Sequence, residues 1–213
     1  MEIDHPFCDG RFFRLLEKSQ VVGGRSGWHP NFFKTPRGEA YAYIKEHSFG
    51  EYIFDWAWAN LYHENAHNYY PKLIHALPFT PVNAPKLLAE NMHKKRELVE
   101  KSFDFYQKTD ELSGHHFLFT SSEENQLLEE RDYFFQKTLQ FHWINKWESF
   151  EDFLDSLKSR KRKQIKKERK QVLQKEVEIE RKTGRDLTLF ELDKVYYLYS
   201  TTIDKKYSNA YLN

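Results

Sequence analysis

The segment that most constrains the fold is residues 51–63, where aromatic and aliphatic side chains leave no continuous polar face. In this chain of 213 residues the segment reads EYIFDWAWANLYH. A surface helix carries one apolar stripe, so a helix that is apolar all round is expected to be buried. Asp55 would be buried with it, and a buried carboxylate is costly unless it is paired or hydrogen-bonded. The sequence therefore predicts a partner for Asp55.

The composition indicates a globular protein with a sizeable core. Aromatic residues make up 17% of the chain, and Gly and Pro are sparse. The formal net charge is +1, so any preference for nucleic acid or membrane must be local. The one cysteine, Cys8, excludes an internal disulfide framework and has no partner set that favours a thiol nucleophile. With neither an apolar run of about 18 residues nor a signal-peptide pattern, we expect no transmembrane segment and a cytoplasmic location.

Hydrophobic periodicity indicates short strands interleaved with helices, which is typical of an α/β or α+β domain with a mixed sheet. A hairpin is predicted from two alternating runs, Trp28–Thr35 and Ala40–Lys45, on either side of Pro36-Arg37-Gly38. Further strands are predicted at 73–77, 116–119, 134–143 and 177–179. Helices are predicted at 11–19, 51–63, 86–108, 122–130, 150–157, 158–175 and 188–205.

Two acids in the aromatic segment are candidates for proton transfer. On one helix Glu51 and Asp55 are four residues apart and share a face, and like charges that close raise one pKa toward neutrality. Asp55 and His47 are the first candidates for a general base, with Glu51 behind them. The alternatives are structural: Glu51 completes a capping box with Ser48, and Asp55 pairs with a lysine (Lys45 or Lys72) inside the core.

Other polar residues suit substrate binding. Lys72 follows Tyr70-Pro71 and can hold a phosphate or carboxylate, although a plain surface lysine is an equal alternative. His142, with aromatic residues on either side, faces a groove or solvent if the predicted strand 134–143 forms, and it is either a catalytic or a structural histidine. The residues assigned to substrate binding are Lys45, Trp56, Tyr70, Lys72, Arg160, Lys161, Arg162 and Lys163.

Residues 63–67 read His-Glu-Asn-Ala-His, which matches the zinc-hydrolase pattern H-E-x-x-H. On a helix the pattern places His63 and His67 on one face, with Glu64 as the base. The match falls where the aromatic helix should end, and no third ligand has a recognised spacing. Zinc hydrolysis is therefore a minor alternative, and no metal site is assigned.

The run 158–170 is strongly basic, with nine Lys or Arg residues among thirteen. Such density on a helix attracts polyanions such as tRNA, coenzyme A phosphates or anionic lipid. The run contains no aromatic residue, which argues against base stacking and sequence-specific reading. The alternatives are a phosphate-binding helix and a solvated helix without a ligand.

Several motifs, in order and at similar spacing, resemble a bacterial family of predicted N-acyltransferases. This family is described as peptidoglycan biosynthesis or recognition proteins and is related to the Fem aminoacyltransferases. The matching segments are Gly27-Trp28-His29-Pro30, 45–59 (KEHSFGEYIFDWAWA), 69–73 (YYPKL), 78–82 (PFTPV), 140–145 (QFHWIN), 153–154 (FL), 159–163 (SRKRK) and 168–169 (ER).

The resemblance implies a GNAT-like fold and transfer of an acyl or aminoacyl group to an amine of a cell-wall precursor or small metabolite. Acyl-CoA or aminoacyl-tRNA would be the donor substrate, with tRNA reaching residues 158–170, and no cofactor would be tightly bound. Family members continue well past residue 213, so we expect a GNAT-like domain at 1–148, a basic helical segment at 149–175 and a truncated second half at 176–213. Without an R-x-x-G-x-G/A acyl-CoA loop, a non-catalytic module that binds phosphate ligands is the alternative.

Overall fold

The computed structural model describes residues 5–53, 55–175, 177–206 and 210–212, which fall into two compact units. The first unit comprises residues 1–135 and 200–213, and the second comprises residues 136–199. Within the described ranges the strands are β1 (Trp28–Pro30), β2 (Phe33–Thr35), β3 (Gly38–Ala40), β4 (Tyr43–Lys45), β5 (Lys72–His75), β6 (Leu87–Ala89) and β7 (His115–Phe117). The α-helices are α1 (Gly10–Lys18), α2 (Trp56–Glu64), α3 (Met92–Gln107), α4 (Ser122–Glu129), α5 (Phe150–Ser156), α6 (Ser159–Leu173) and α7 (Leu189–Lys205), after a 3-10 turn at Pro6–Cys8.

The first unit contains a mixed sheet in the order β1-β4-β5-β7. Strand β4 pairs antiparallel with both β1 and β5, and β7 pairs with β5 in parallel. Its second sheet, β2-β3-β6, is antiparallel throughout. The mixed α/β class predicted from the sequence is confirmed.

The predicted hairpin around Pro36-Arg37-Gly38 is confirmed, but it is divided between the two sheets. Its tip is the β2–β3 pair, in which Phe33 lies opposite Ala40. Its base is the β1–β4 pair, in which Trp28 lies opposite Lys45. Residues 31–32 and 41–42 belong to neither strand pair, so the hairpin changes sheet there.

Aromatic packing fills the core between these elements. Trp28 and Tyr43 are buried and meet edge to face, with ring centroids 5.3 Å apart. On the other side of the core, Leu98 of α3 packs with Leu87 and Leu73 of two strands. Edge-to-face aromatic pairs contribute about 0.5–1.5 kcal/mol beyond the area they bury, so the high aromatic content is used mainly inside the first unit.

The predicted buried helix at 51–63 is wrong in its start and in its burial. Helix α2 begins at Trp56, none of its residues is buried, and Trp56 itself is 59% exposed. Gly50 and Tyr52 both have positive φ, 81° and 57°, so the chain turns there instead of continuing as a helix. The capping box at Ser48–Glu51 is wrong for the same reason, because those residues form a turn.

Two predicted strands, 134–143 and 177–179, are absent from the described residues, which have irregular backbone there. In the second unit Phe141 is 94% exposed, while Trp143 packs on Trp147 and Phe153 at centroid distances of 5.3 and 5.1 Å. The alternating pattern therefore serves a local aromatic cluster beside α5, and among the described residues no strand pairs with this segment.

The remaining element predictions are largely confirmed. Helices α1, α4, α5, α6 and α7 lie within two residues of their predicted limits. Ser149 begins α5 with a capping box that also uses Asp152. The predicted helix 86–108 divides into strand β6 and helix α3. Among the described residues, no helix is both long and apolar enough to cross a bilayer.

Three histidines of β5 and β7 lie inside the first unit, and their burial predicts a pH-dependent stability. Burial lowers the pKa of His75 well below 6.5, and it lowers those of His115 and His116 to about 3. In the unfolded chain these imidazoles bind protons below about pH 6.5, whereas in the folded protein they do not. The free energy of unfolding is therefore expected to fall as the pH drops below 6.5.

Substituting His75→Phe tests this expectation. The His75 ring stacks on Phe117 with centroids 4.1 Å apart, and neither ring nitrogen has a hydrogen-bond partner in the described part of the chain. We expect unchanged or higher stability at about pH 7 and a pH slope reduced by up to about 1.4 kcal/mol per pH unit at lower pH. Urea unfolding at several pH values measures this, with the exposed His93→Phe as control. An unchanged slope in His75→Phe would contradict the assignment.

Candidate functional site

A cluster of two lysines and two carboxylates lies buried in the first unit. Lys45 and Lys72 are fully buried, Glu51 is 2% exposed and Asp55 is 4% exposed. The antiparallel register of β4 and β5 places Lys45 directly opposite Lys72, and the turn after β4 supplies the two acids. We call these four residues the ion cluster.

Lys72 is the centre of the ion cluster. Its Nζ donates a hydrogen bond to Asp55 Oδ2 at 2.9 Å and lies 3.0 Å from Glu51 Oε2. The same ammonium lies over the rings of Tyr69 and Tyr70, at 4.6 and 4.9 Å from their centroids. Two anions and two aromatic faces thus replace the hydration shell that Lys72 loses on burial. Of the two lysines considered from the sequence, Lys72 is the one that pairs with Asp55.

The two carboxylates have opposite electrostatic environments. Burial opposes ionisation of Asp55, but hydrogen bonds from Tyr69 Oη, at 2.5 Å, and from Lys72 outweigh it, so the pKa of Asp55 is lowered. Burial raises the pKa of Glu51 above its usual value despite the nearby lysines, and the Asp55 charge adds to the rise. The expected upward shift therefore falls on Glu51, with burial as its main cause.

Lys45 is held on the other side of the ion cluster. Its Nζ donates to the Gly27 carbonyl at 3.0 Å, lies 3.4 Å from His47 Nδ1 and sits 4.3 Å from the centroid of the Trp28 ring. Burial lowers the pKa of Lys45 to about 7, with the Lys72 charge adding to the fall and the Glu51 charge opposing it. Both the ammonium and the neutral amine are therefore populated near neutral pH.

His47 connects Lys45 to the surface. Its Nδ1 accepts a hydrogen bond from the Phe49 amide at 3.3 Å, which places the ring proton on Nε2 in the neutral form. Burial, followed by the Lys45 charge, lowers the pKa of His47, so the ring is neutral at pH 7. The ring packs so closely on Gly27 that a Cβ there would lie 2.2 Å from His47 Nε2. Gly27 also has a φ of 68°, so two constraints require glycine at this position.

A cavity of about 320 Å³ opens beside His47 and Trp28. Both residues contact Lys45, so the ion cluster lies one side chain behind the cavity wall. No carboxylate side chain is among the described lining residues. Those residues are Gln20, Val21, Arg25, Ser26, Trp28, His47, Phe49, Phe79, Ala210, Tyr211 and Leu212.

The structure brings together six of the residues assigned from the sequence. These are Lys45, His47, Glu51, Asp55, Tyr70 and Lys72. Trp56 directly follows Asp55 but is largely exposed on α2. His142 lies in the second unit, exposed on irregular backbone, so the strand that would have aimed it at a groove is absent from that described segment. Arg160, Lys161, Arg162 and Lys163 also lie in the second unit, on α6.

Sequence reasoning missed three residues of the site. Tyr69 donates a hydrogen bond to Asp55. The second residue is His116, whose pKa is lowered to about 3 by burial and, to a smaller extent, by the charge of Lys72. The third residue is Gly27: the His47 ring packs against it, and its carbonyl accepts a hydrogen bond from Lys45. Tyr69 could have been predicted from the sequence, because it belongs to the YYPKL motif. The position of His116 depends on the parallel pairing of β7 with β5, which the sequence does not reveal.

The helical geometry that the zinc alternative requires is absent at the described end of α2. The helix ends at Glu64, and Ala66 adopts a left-handed φ of 58°. His67 therefore lies beyond the helix, and His63 and His67 do not share a helical face. In the ranges that the structure describes, no group of three or more His, Cys, Asp or Glu side chains is arranged to hold a metal ion.

Removing the central lysine is expected to destabilise the first unit strongly. Lys72→Met leaves Glu51 and Asp55 buried without their counterion, and breaking a buried ion pair on one side costs about 3–5 kcal/mol. Urea unfolding measures the change, and the exposed Lys108→Met serves as the matched control. Adding Glu51→Gln to Lys72→Met should recover part of the loss. A loss below about 1 kcal/mol in Lys72→Met would contradict the central role of this residue.

Comparison with known proteins identifies the family of the chain. No curated protein and no solved structure matches it. The family described as FemAB-like, peptidoglycan biosynthesis/recognition, matches residues 1–213. That span covers every motif on which the sequence resemblance was based, together with the ion cluster and the described residues that line the cavity. The chain therefore belongs to the FemAB-like family of peptidoglycan biosynthesis and recognition proteins.

Proposed function

We propose that this chain is an N-acyltransferase, or the N-terminal part of one, that moves an acyl or aminoacyl group to an amine of a cell-wall precursor. The observation that carries the proposal is the contact between Lys45 and His47 at the wall of the cavity. The GNAT-like fold and the division at residues 148 and 175 belong to the same proposal, as does acyl-CoA or aminoacyl-tRNA as donor.

Transfer to an amine needs a proton acceptor and a donor to the carbonyl oxygen, but no covalent nucleophile. The amine attacks the carbonyl carbon, a C–N bond forms, and the C–O or C–S bond of the donor breaks. The amine loses its proton to a base, and the tRNA hydroxyl or the coenzyme A thiol leaves with a proton. The neutral imidazole at the cavity wall can supply the donor, because the Phe49 amide occupies Nδ1 and leaves the ring proton on Nε2. The neutral amine of Lys45, 3.4 Å from Nδ1 and behind the wall, is the group that can take up a proton.

The pKa of Lys45, about 7, lies where a general base works best. Asp55 has a different role in this proposal. Its lowered pKa and its two hydrogen bonds make it a weak base, so it holds Lys72 and Tyr69 in place. Glu51, buried in the ion cluster, offsets the positive charges of Lys45 and Lys72.

Product formation tests the proposal directly. The full chain is incubated with acetyl-CoA or aminoacyl-tRNA and a muropeptide that has a free side-chain amine, and the amide product is measured by mass spectrometry. We expect the rate to rise with pH through about 7, because the neutral form of Lys45 is needed. His47→Phe, which keeps a ring but removes its N–H donor, should lower the rate about 100-fold or more, the usual contribution of one donor to the developing oxyanion.

The matched control is His29→Phe, on strand β1 outside the cavity lining, which should keep the wild-type rate. Equal rates for wild type and His47→Phe would remove His47 from the mechanism. No product from either donor with the folded wild-type chain would count against transfer activity in these 213 residues.

A second candidate function, polyanion binding, is favoured by helix α6. Asp155 pairs with Arg162 and Glu151 with Lys166, each at 2.9 Å. No carboxylate within ion-pair distance is described for Arg160, Lys161 or Lys163. An exposed helix with this excess of positive charge suits a phosphate-rich partner such as tRNA.

The salt dependence of tRNA binding tests this second function. Lys161→Gln/Lys163→Gln should lower the slope of log Kd against log salt by about 1 for each phosphate that the variant no longer neutralises. Fluorescence anisotropy with labelled tRNA at several salt concentrations measures the slope. The control Lys101→Gln/Lys108→Gln removes the same charge from α3 and the residue that follows it. A slope that is equal in both double variants would contradict binding through α6.

A further inference from the structure

The cavity beside His47 has one wall made by a glycine-rich loop, residues 20–27. Four residues of this loop have positive φ: Gln20 at 57°, Gly23 at 83°, Gly24 at 52° and Gly27 at 68°. The Gly23 amide donates to the Trp28 carbonyl at 2.7 Å, and the Ser26 amide donates to the Gly23 carbonyl at 3.0 Å. These bonds give the loop a defined shape and tie it to strand β1.

The charge of the cavity is one-sided. Arg25, at the tip of the loop, lines the cavity and is exposed, and it has no ion-pair partner in the part of the chain that the structure describes. The described lining includes no Asp or Glu side chain. Buried Lys45, behind His47, adds positive potential to the cavity. An anion entering the cavity therefore meets an unpaired guanidinium and no described carboxylate of the lining.

The rest of the lining is aromatic. Phe79 and Tyr211 stack with centroids 5.1 Å apart, and Trp28 lies 5.4 Å from Phe79. Phe49 completes this side and is 46% exposed. The volume of about 320 Å³ is at the lower end of small-molecule sites, enough for one ring or a short acyl chain with a charged end.

We infer that this cavity binds a small organic anion, with its carboxylate or phosphate on Arg25 and its apolar body between Phe49 and Phe79. The inference rests on the proposed function in one respect, which is that the bound anion is taken to be part of a substrate. Binding itself requires no turnover. Carboxylate and phosphate share the chemistry that the loop recognises, and the two are separated by experiment.

Isothermal titration of the full chain with phenyl phosphate and with benzoate tests the inference. We expect roughly millimolar binding of one or both by the wild type, as is usual for so small a ligand. Arg25→Gln should weaken that binding about 10-fold or more, and Phe49→Ser should weaken it several-fold. The matched control Arg14→Gln removes one exposed arginine outside the cavity and should bind like the wild type. Whichever probe binds more tightly identifies the anionic group.

Three results would overturn the inference. One is that neither probe binds at a probe concentration of about 10 mM, which is well above the expected Kd. Another is equal affinity in Arg25→Gln and wild type. The third is inorganic phosphate or benzyl alcohol binding as tightly as phenyl phosphate, since then the charge and the ring do not act together. Amide formation that is unaffected by Arg25→Gln would support the proposed function and overturn the assignment of this anion to the substrate. Anion binding without transfer would support this site and count against the proposed function.

Discussion

Lys72 is the residue on which the centre of the first unit depends, because its buried ammonium is shared by two carboxylates and two tyrosine rings. Asp55 and Glu51 come from the turn after β4, while Tyr69 and Tyr70 closely precede β5. A single charge thus joins a loop to a sheet. Because each partner would be a costly buried group without the others, these segments are expected to hold one arrangement.

The ion cluster and the cavity are linked through Lys45 and His47. Lys45 faces Lys72 across the β4–β5 ladder, so the positive charge of one affects the other. Burial is the main cause that brings the pKa of Lys45 to about 7, and this repulsion adds to it, so a proton can be taken up or released at neutral pH. His47 contacts Lys45 and lines the cavity, so it connects this titrating lysine to the cavity wall. The structural role of Lys72 and the proposed chemical role of His47 are therefore parts of one electrostatic arrangement.

Some features could be predicted because they depend on short segments. The helix α6 follows from its charged, strongly helix-forming composition, and α5 follows from the Ser149 capping box. The burial of Asp55 was also predicted, but for the wrong reason. A buried helix was expected to enclose it, whereas the turn at Gly50 directs Asp55 inward and leaves α2 exposed.

Hydrophobic periodicity gave a wrong strand prediction at a segment that pairs with no strand among the described residues. Residues 134–143 alternate as a strand would, yet a strand forms only when another backbone satisfies its hydrogen bonds. The opposite error occurred at 86–108, where the short β6 looked like the first turn of a helix, although Leu87–Ala89 pair with β3. In both places the missing information was which segments meet.

By itself the sequence determined the mixed α/β class, the family motifs, the basic helix and the need of Asp55 for a cation. The tertiary structure alone decided that Lys72 would be that cation, that Tyr69 and His116 would join it, and that Gly27 would leave room for the His47 ring. The reason is physical. Local preferences depend on residues a few positions apart, whereas a buried charge is stabilised by whichever groups the strand register brings within about 3–5 Å of it.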